Sequence, residues 1–279
     1  MYDERDRKRG IEVCRSGCSA CTGSFDSYVH AYDRLLGDHL DVRMIDGLQP
    51  HERKELLFMA ESANFGARWP KYTRQLELII DSRIRHREGS ANEIELVCRE
   101  LLNQRQFAAA RRLAQASGLQ GFEFTIENLA PRANSPTVLS VDGPKLTRKP
   151  FDVTRDAQVI VLSSPGCPHC LEAARDISND PRLKEIFMAR GAWIAPAYDL
   201  GYGETFTKWN QNYPWFPPLV MYDAREWPDS ITGGTTAIPT PTFVFLENGK
   251  VRRRIMGWGP GAADETELLT ALKEIGIAR

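Results

Sequence analysis

From about Ser24 to Leu119 the apolar residues recur at helical spacing. Phe25, Tyr28, Val29, Tyr32, Leu35 and Leu36 form one stripe, and Gly37 follows as a stop. A second helix is predicted from His51 through Asn64, with Gly66 and Pro70 as its breakers. A third spans about Tyr72 to Arg87, with Leu76, Ile79, Ile80 and Ile84 on one face and Gly89 at its end. Ser90 or Asn92 caps the next helix, which carries Ile94, Val97, Cys98, Leu101 and Leu102. Phe107 to Ala116 is expected to close an antiparallel hairpin with it. The stretch Leu101 to Arg111 reads either as one tetratricopeptide-type helix pair or as part of an ordinary bundle, since such repeats need neighbours to bury their faces.

Near Gly118 the texture changes. Gly, Pro, Asn and Ser punctuate residues 128–150, which read as a linker running into a hairpin. Val138-Leu139-Ser140-Val141 is its strand and Asp142-Gly143 its turn. Beyond it the pattern predicts a strand at Val159 to Leu162, a helix after Cys167, a strand at Trp193 to Ala197 and a helix at about Glu204 to Asn212. A hairpin of Thr242–Leu246 and Lys250–Met256 follows, then a helix from Asp264 to Ile275. Strands and helices in this mixed order argue for a central sheet with helices on its faces.

Composition narrows the classes. The 279 residues are enough for two domains with separate cores. A net charge of -1 gives no argument for a nucleic-acid partner, and no apolar run is long enough to span a bilayer. Met1 to Gly10 is almost wholly charged and lacks the apolar core of a secretory signal. Cys14, Cys18, Cys21, Cys98, Cys167 and Cys170 are too few for a disulfide-stapled scaffold. Their grouping into C-x-x-x-C-x-x-C and C-x-x-C points to metal binding, redox chemistry or local disulfides.

The second group has a specific context. Val159-Ile160-Val161-Leu162 is long enough for one buried strand, Ser163-Ser164-Pro165-Gly166 turns the chain, and Cys167-Pro168-His169-Cys170 opens a helix continuing through Leu171, Ala173, Ala174 and Ile177. Pro168 sits in the first helical turn, where its missing amide hydrogen has no partner to lose. Cys167 then stands at the helix N-terminus, where free amides and the helix dipole stabilise a thiolate. A protonated His169 adds positive charge beside the same sulfur. Cys170, one turn further in, is shielded and resolves a mixed disulfide. Zinc is the rival reading, but this half of the chain offers no other cysteine and no histidine except His169.

Here the chain resembles thioredoxin-like proteins. Thr240-Pro241-Thr242-Phe243-Val244-Phe245-Leu246, followed by Glu247-Asn248-Gly249-Lys250, is similar to that family's cis-proline strand, turn and next strand. The resemblance implies that Pro241, rather than Pro239, is the cis-proline and that Thr240 binds substrate through its backbone beside the sulfurs. The interval between Cys170 and Pro241 is longer than in a minimal thioredoxin and contains Phe206-Thr207-Lys208-Trp209 and Leu219-Val220-Met221-Tyr222-Asp223. That arrangement is similar to the TlpA-like branch, where an extra strand and helix fill it. The resemblance covers about Asn134 to Arg279. Three features depart from it. Pro168-His169 is the dipeptide of the oxidising DsbA type, Gly166 replaces an aromatic residue, and Val161 stands where a buried carboxylate is usual.

Taken together, residues 1–23 are expected to be a cysteine-containing segment, 24–127 an all-α domain, and 128–279 an α/β thioredoxin-like domain with a central mixed sheet flanked by helices. The expected function is thiol–disulfide oxidoreduction through Cys167 and Cys170, tuned by Pro168 and His169, with Thr240 and Pro241 binding substrate. No cofactor beyond the Cys167–Cys170 disulfide is required. The alternative is a thioredoxin-fold binding module or metallochaperone with cysteine-bound metal. Cys14, Cys18 and Cys21 on one helix face, with Cys98 as a fourth thiolate, suit zinc or an iron–sulfur cluster. A local disulfide, an inert buried Cys98 or a redox relay are the competing readings. Expected partners are substrate protein thiols and disulfides and an upstream redox partner, with a homodimer through the helical domain. Paired cysteines favour an extracytoplasmic, periplasmic setting, with the cytoplasm as the alternative because no export signal is present.

Overall fold

The computed structural model describes residues 21–37, 40–67, 69–129, 135–235, 238–259 and 264–278. It divides into two compact units, one reaching Gln104 and taking in Arg112–Leu119, the other made of Arg105–Arg111 and Gln120–Arg279. The first unit is helical: α1 (Cys21–Leu35), α2 (Val42–Gly47), α3 (Pro50–Ala67), α4 (Pro70–Arg85) and α5 (Ala91–Asn103), with the last part of α6 (Phe107–Ser117). Leu76, Ile79 and Ile80 of α4 are fully buried, as are Val97, Cys98 and Leu101 of α5, so the helical stripes face a common interior. Gly66 does not break α3, which runs through it to Ala67. Pro70 instead opens α4 at its first turn, where proline is tolerated. Helix α2 went unpredicted because it is only six residues long; Asp41 caps it by accepting from the Met44 amide at 2.8 Å.

Ser90 is the cap of α5, not Asn92. Its hydroxyl accepts from the Glu93 amide at 3.3 Å while the Glu93 carboxylate accepts from the Ser90 amide at 2.8 Å, a reciprocal capping box.

The second unit is built on one mixed sheet of eight strands among the described residues, in the order β1-β3-β2-β6-β5-β4-β7-β8. The strands are β1 (Thr125–Asn128), β2 (Thr137–Asp142), β3 (Lys145–Pro150), β4 (Ala157–Leu162), β5 (Gly191–Ala195), β6 (Leu219–Met221), β7 (Thr242–Glu247) and β8 (Lys250–Met256). Within it β4 and β5 are parallel, β7 runs antiparallel to β4, and β8 antiparallel to β7. The stretch 24–127, expected to be all-α, therefore ends in an edge strand, since β1 pairs in parallel with β3. The strand predicted at Trp193 to Ala197 lies two residues earlier: Val159 pairs with Gly191, and Pro196 follows the last strand residue.

Helices α7 (Pro168–Asn179), α8 (Pro181–Arg190), α9 (Gly203–Asn212), α10 (Asp229–Thr232) and α11 (Glu265–Glu274) complete this unit. Strand β4 alternates between two cores. Val159 and Val161 cluster with Cys170, Ala173, Ala174 and Ile177 of α7, while Ile160 and Leu162 cluster with Trp227, Ile231 and Ile238 on the other face. At the β7–β8 turn, Asn248 and Gly249 both take positive φ, 51° and 76°, the conformation of a two-residue hairpin loop. Among the described residues no helix is long and apolar enough to cross a membrane.

Losing the Ser90 hydroxyl leaves orphan amides at the start of α5. Ser90→Ala is expected to destabilise the helical unit by about 1 kcal/mol, read as a lower urea midpoint at unchanged slope; an unchanged midpoint contradicts the capping role.

Candidate redox site

The site follows from strand order. Because β7 runs antiparallel to β4, with Leu162 opposite Thr242, the end of β4 and the beginning of β7 meet at the same end of two interior strands. The chain leaves β4 toward Cys167 and enters β7 from Pro241, so residues far apart in sequence converge there. The Thr240–Pro241 peptide is cis, and the Thr242 hydroxyl donates to the Pro239 carbonyl at 2.7 Å across the same turn. The Gly257 amide donates to the Pro241 carbonyl at 2.8 Å, tying the segment after β8 to it.

Cys167 is the N-cap of α7, with extended backbone (φ −82°, ψ 122°) and Pro168 in the first turn. Its carbonyl accepts from the amides of Cys170 and Leu171, both at 3.1 Å, so the residue already belongs to the helical ladder. Cys170, Ala173, Ala174 and Ile177 follow at helical spacing as the buried stripe. Three side chains peg the outer part of the helix: Tyr213 donates to the Leu171 carbonyl at 3.2 Å, Trp258 to Asp176 at 3.0 Å and Trp215 to Ser178 at 3.3 Å. The aromatic residues of this half are thus mainly packing and anchoring groups, with Trp193 and Trp209 in contact inside the core.

Neither cysteine is in a disulfide. Cys167 is half-buried, and its sulfur approaches the Thr240 carbonyl oxygen at 3.4 Å. The Cys167 thiol is pulled down to about 5, chiefly by a hydrogen bond from the Cys170 side chain. Burial opposes the shift, and the Cys170 amide, the Thr240 side chain and the His169 amide add to it. Cys170 is pushed the other way. It is fully buried, and burial, followed by its contact with Cys167, raises its thiol far above the usual range. The two sulfurs are therefore chemically unlike: one is an accessible thiolate, the other a shielded thiol that donates to it.

His169 contributes to this arrangement mainly through its backbone. Its imidazole is 65% exposed, and Nδ1 lies 3.3 Å from the Glu172 carboxylate. That carboxylate offsets the field a protonated ring sends toward Cys167. Gly166 leaves open the space where a Cβ would come within 3.9 Å of the Thr205 methyl.

Cys14 and Cys18 lie outside the described residues, and Cys21 begins α1 with its side chain outside them as well. Cys98 is buried in α5; burial, followed by Glu95, pushes its thiol up to about 12. Among the described residues no cluster of three or more His, Cys, Asp or Glu is arranged to hold a metal ion.

Sequence patterns gave no sign of Arg105. It takes a positive φ of 60°, and its buried guanidinium donates to the carbonyls of Tyr222 at 3.0 Å, Ala197 at 3.1 Å and Met221. Burial lowers its pKa to about 10. It gathers the segments that follow β5 and β6, an anchoring role that only the three-dimensional arrangement reveals.

No protein-family model and no curated protein matches the chain. Among solved structures it is similar to a thioredoxin-like protein from Bacteroides caccae, with 12% identity, 83% of this chain and 80% of that one covered, and a TM-score of 0.33. A likeness at that level adds nothing to the strand order and site geometry described above.

The acidity of Cys167 is directly measurable. Alkylation of the reduced protein by iodoacetamide, resolved residue by residue by mass spectrometry, is expected to follow a thiolate titration centred near pH 5 at Cys167, with Cys98 unreactive below pH 9. A Cys167 midpoint near about 8.5, the value of an ordinary thiol, contradicts the donor arrangement.

Proposed function

We propose that the second unit is a thioredoxin-like domain and that the protein is a thiol–disulfide oxidoreductase working through Cys167 and Cys170. The observation that carries this reading is the meeting of the Cys167 sulfur, at the N-terminus of α7, with the Thr240 carbonyl beside the cis Thr240–Pro241 bond. The core order β5-β4-β7-β8, with the cysteine helix after β4 and a closing helix after β8, supports it. So does the TlpA-like interval, where α9 and β6 stand between α8 and Pro241.

The chemistry follows from the unlike sulfurs. The Cys167 thiolate attacks a substrate disulfide, forming a Cys167–substrate bond and releasing one substrate thiolate. Cys170 then attacks the Cys167 sulfur, releases the second substrate thiol and leaves the Cys167–Cys170 disulfide. Run in reverse, the same steps oxidise a substrate dithiol. Groups that stabilise the Cys167 thiolate favour the reduced form and so make the disulfide a stronger oxidant. With Pro168-His169 between the cysteines, the favoured direction is oxidation of substrate protein thiols, in an oxidising extracytoplasmic setting where an upstream partner restores the disulfide.

Cys167→Ser is expected to abolish both insulin-disulfide reduction and dithiol-peptide oxidation, whereas Cys170→Ser should accumulate a mixed disulfide on Cys167. Both are read by turnover and by intact mass. Full turnover in Cys167→Ser refutes the assignment.

A further inference from the structure

Resolution of a mixed disulfide needs Cys170 as a thiolate, yet Cys170 is the more deeply buried of the two sulfurs. Val161, on the same face of β4, offers no carboxylate to take its proton. The strand itself points to another group. Val159 and Val161 lie in the cluster that holds Cys170, while Ile160 and Leu162 lie in the opposite one. Ser163 continues the strand, its amide donating to the Ile194 carbonyl at 2.9 Å. The two-residue period therefore puts Ser163 on the Val161 face, toward the first turn of α7. Its side chain is 1% exposed, and its hydroxyl makes no hydrogen bond to any group among the described residues. An orphan hydroxyl this deep is costly unless it serves a neighbour. The group on that face which it can serve is the Cys170 sulfur, packed with Val161, whose thiol the Ser163 side chain and the Ser164 amide bring back down against burial.

We propose that Ser163 is a positioning residue for Cys170, its hydroxyl donating to the sulfur as the thiolate forms, at a site with no buried carboxylate beside it. The inference rests on the dithiol reading above. In the step concerned, Cys170 gives up its proton to solvent water and its sulfur forms a bond to the Cys167 sulfur. The Cys167–substrate S–S bond breaks, the electron pair leaves on the substrate sulfur, and that sulfur takes up a proton. Ser163 keeps its own proton throughout and supplies only the hydrogen bond.

The two half-steps separate with dithiodipyridine as the probe disulfide. The reaction is quenched in acid, and the pyridylthio adduct on Cys167 is followed by peptide mass, apart from the other cysteines. Ser163→Ala is expected to form the adduct at the parent rate and to clear it about tenfold or more slowly, the effect of losing one hydrogen bond to a charged group. The pH midpoint of the clearing step should move upward, and Ser163→Thr should return both toward the parent. Clearance by Ser163→Ala at the parent rate with the parent pH profile overturns the role of Ser163 while leaving the dithiol reading intact. Failure of the parent protein to form any adduct on Cys167 overturns both.

Discussion

The second unit is organised around a negative charge on one sulfur at the first turn of a helix. A thiolate half out of water is unfavourable unless donors surround it. Here they are supplied by the Cys170 thiol, the Cys170 and His169 amides and the Thr240 side chain. Each belongs to an element that the fold must hold still. The amides need α7 to start at Cys167, which Pro168 enforces. Cys170 needs the helix stripe pressed onto β4, and Thr240 needs β7 delivered antiparallel to the end of β4.

The same arrangement divides labour between the sulfurs. One amide-rich helix end and one buried helix turn, three residues apart, give a reactive group and a protected one from a single amino-acid type. The hydrogen bond from Cys170 to Cys167 lowers one thiol and raises the other, so the pair acts as a unit and either residue alone behaves differently. Tyr213 and Trp258 hold α7 from loops that follow α9 and β8, which makes packing distant from the sulfurs part of the site.

Much of this was legible in the sequence because short-range rules carry it. The run Val159 to Leu162 is a strand, Pro168 marks a helix start, and the apolar segment after Thr240-Pro241 ending at Asn248-Gly249 is a hairpin. The cis bond at Pro241 was expected only through the family resemblance, and it is present. Strand β6, three residues paired with β2 and β5, was likewise expected only through that resemblance. What escaped depends on tertiary contact. Strand β1 is an edge strand of mostly exposed residues with no apolar alternation to betray it. Helix α8 went unpredicted although it carried a readable signal, Asp180 as cap and Pro181 in the first turn. Arg105 is a charged residue before an alanine-rich helix, and no local pattern distinguishes a buried guanidinium from an exposed one. The side-chain role expected of His169 was a matter of geometry too, since Glu172 turns out to face its ring.

The central claim is that Cys167 and Cys170 interconvert as one dithiol–disulfide couple. Equilibrating the full chain against graded mixtures of reduced and oxidised glutathione, with the bond mapped by peptide mass, tests it most directly. The account predicts a single two-electron transition between Cys167 and Cys170, with a midpoint on the oxidising side of about −270 mV and toward about −120 mV, the range spanned by thioredoxin and DsbA. Cysteines that take up glutathione separately, and never bond to one another at any ratio, would contradict it.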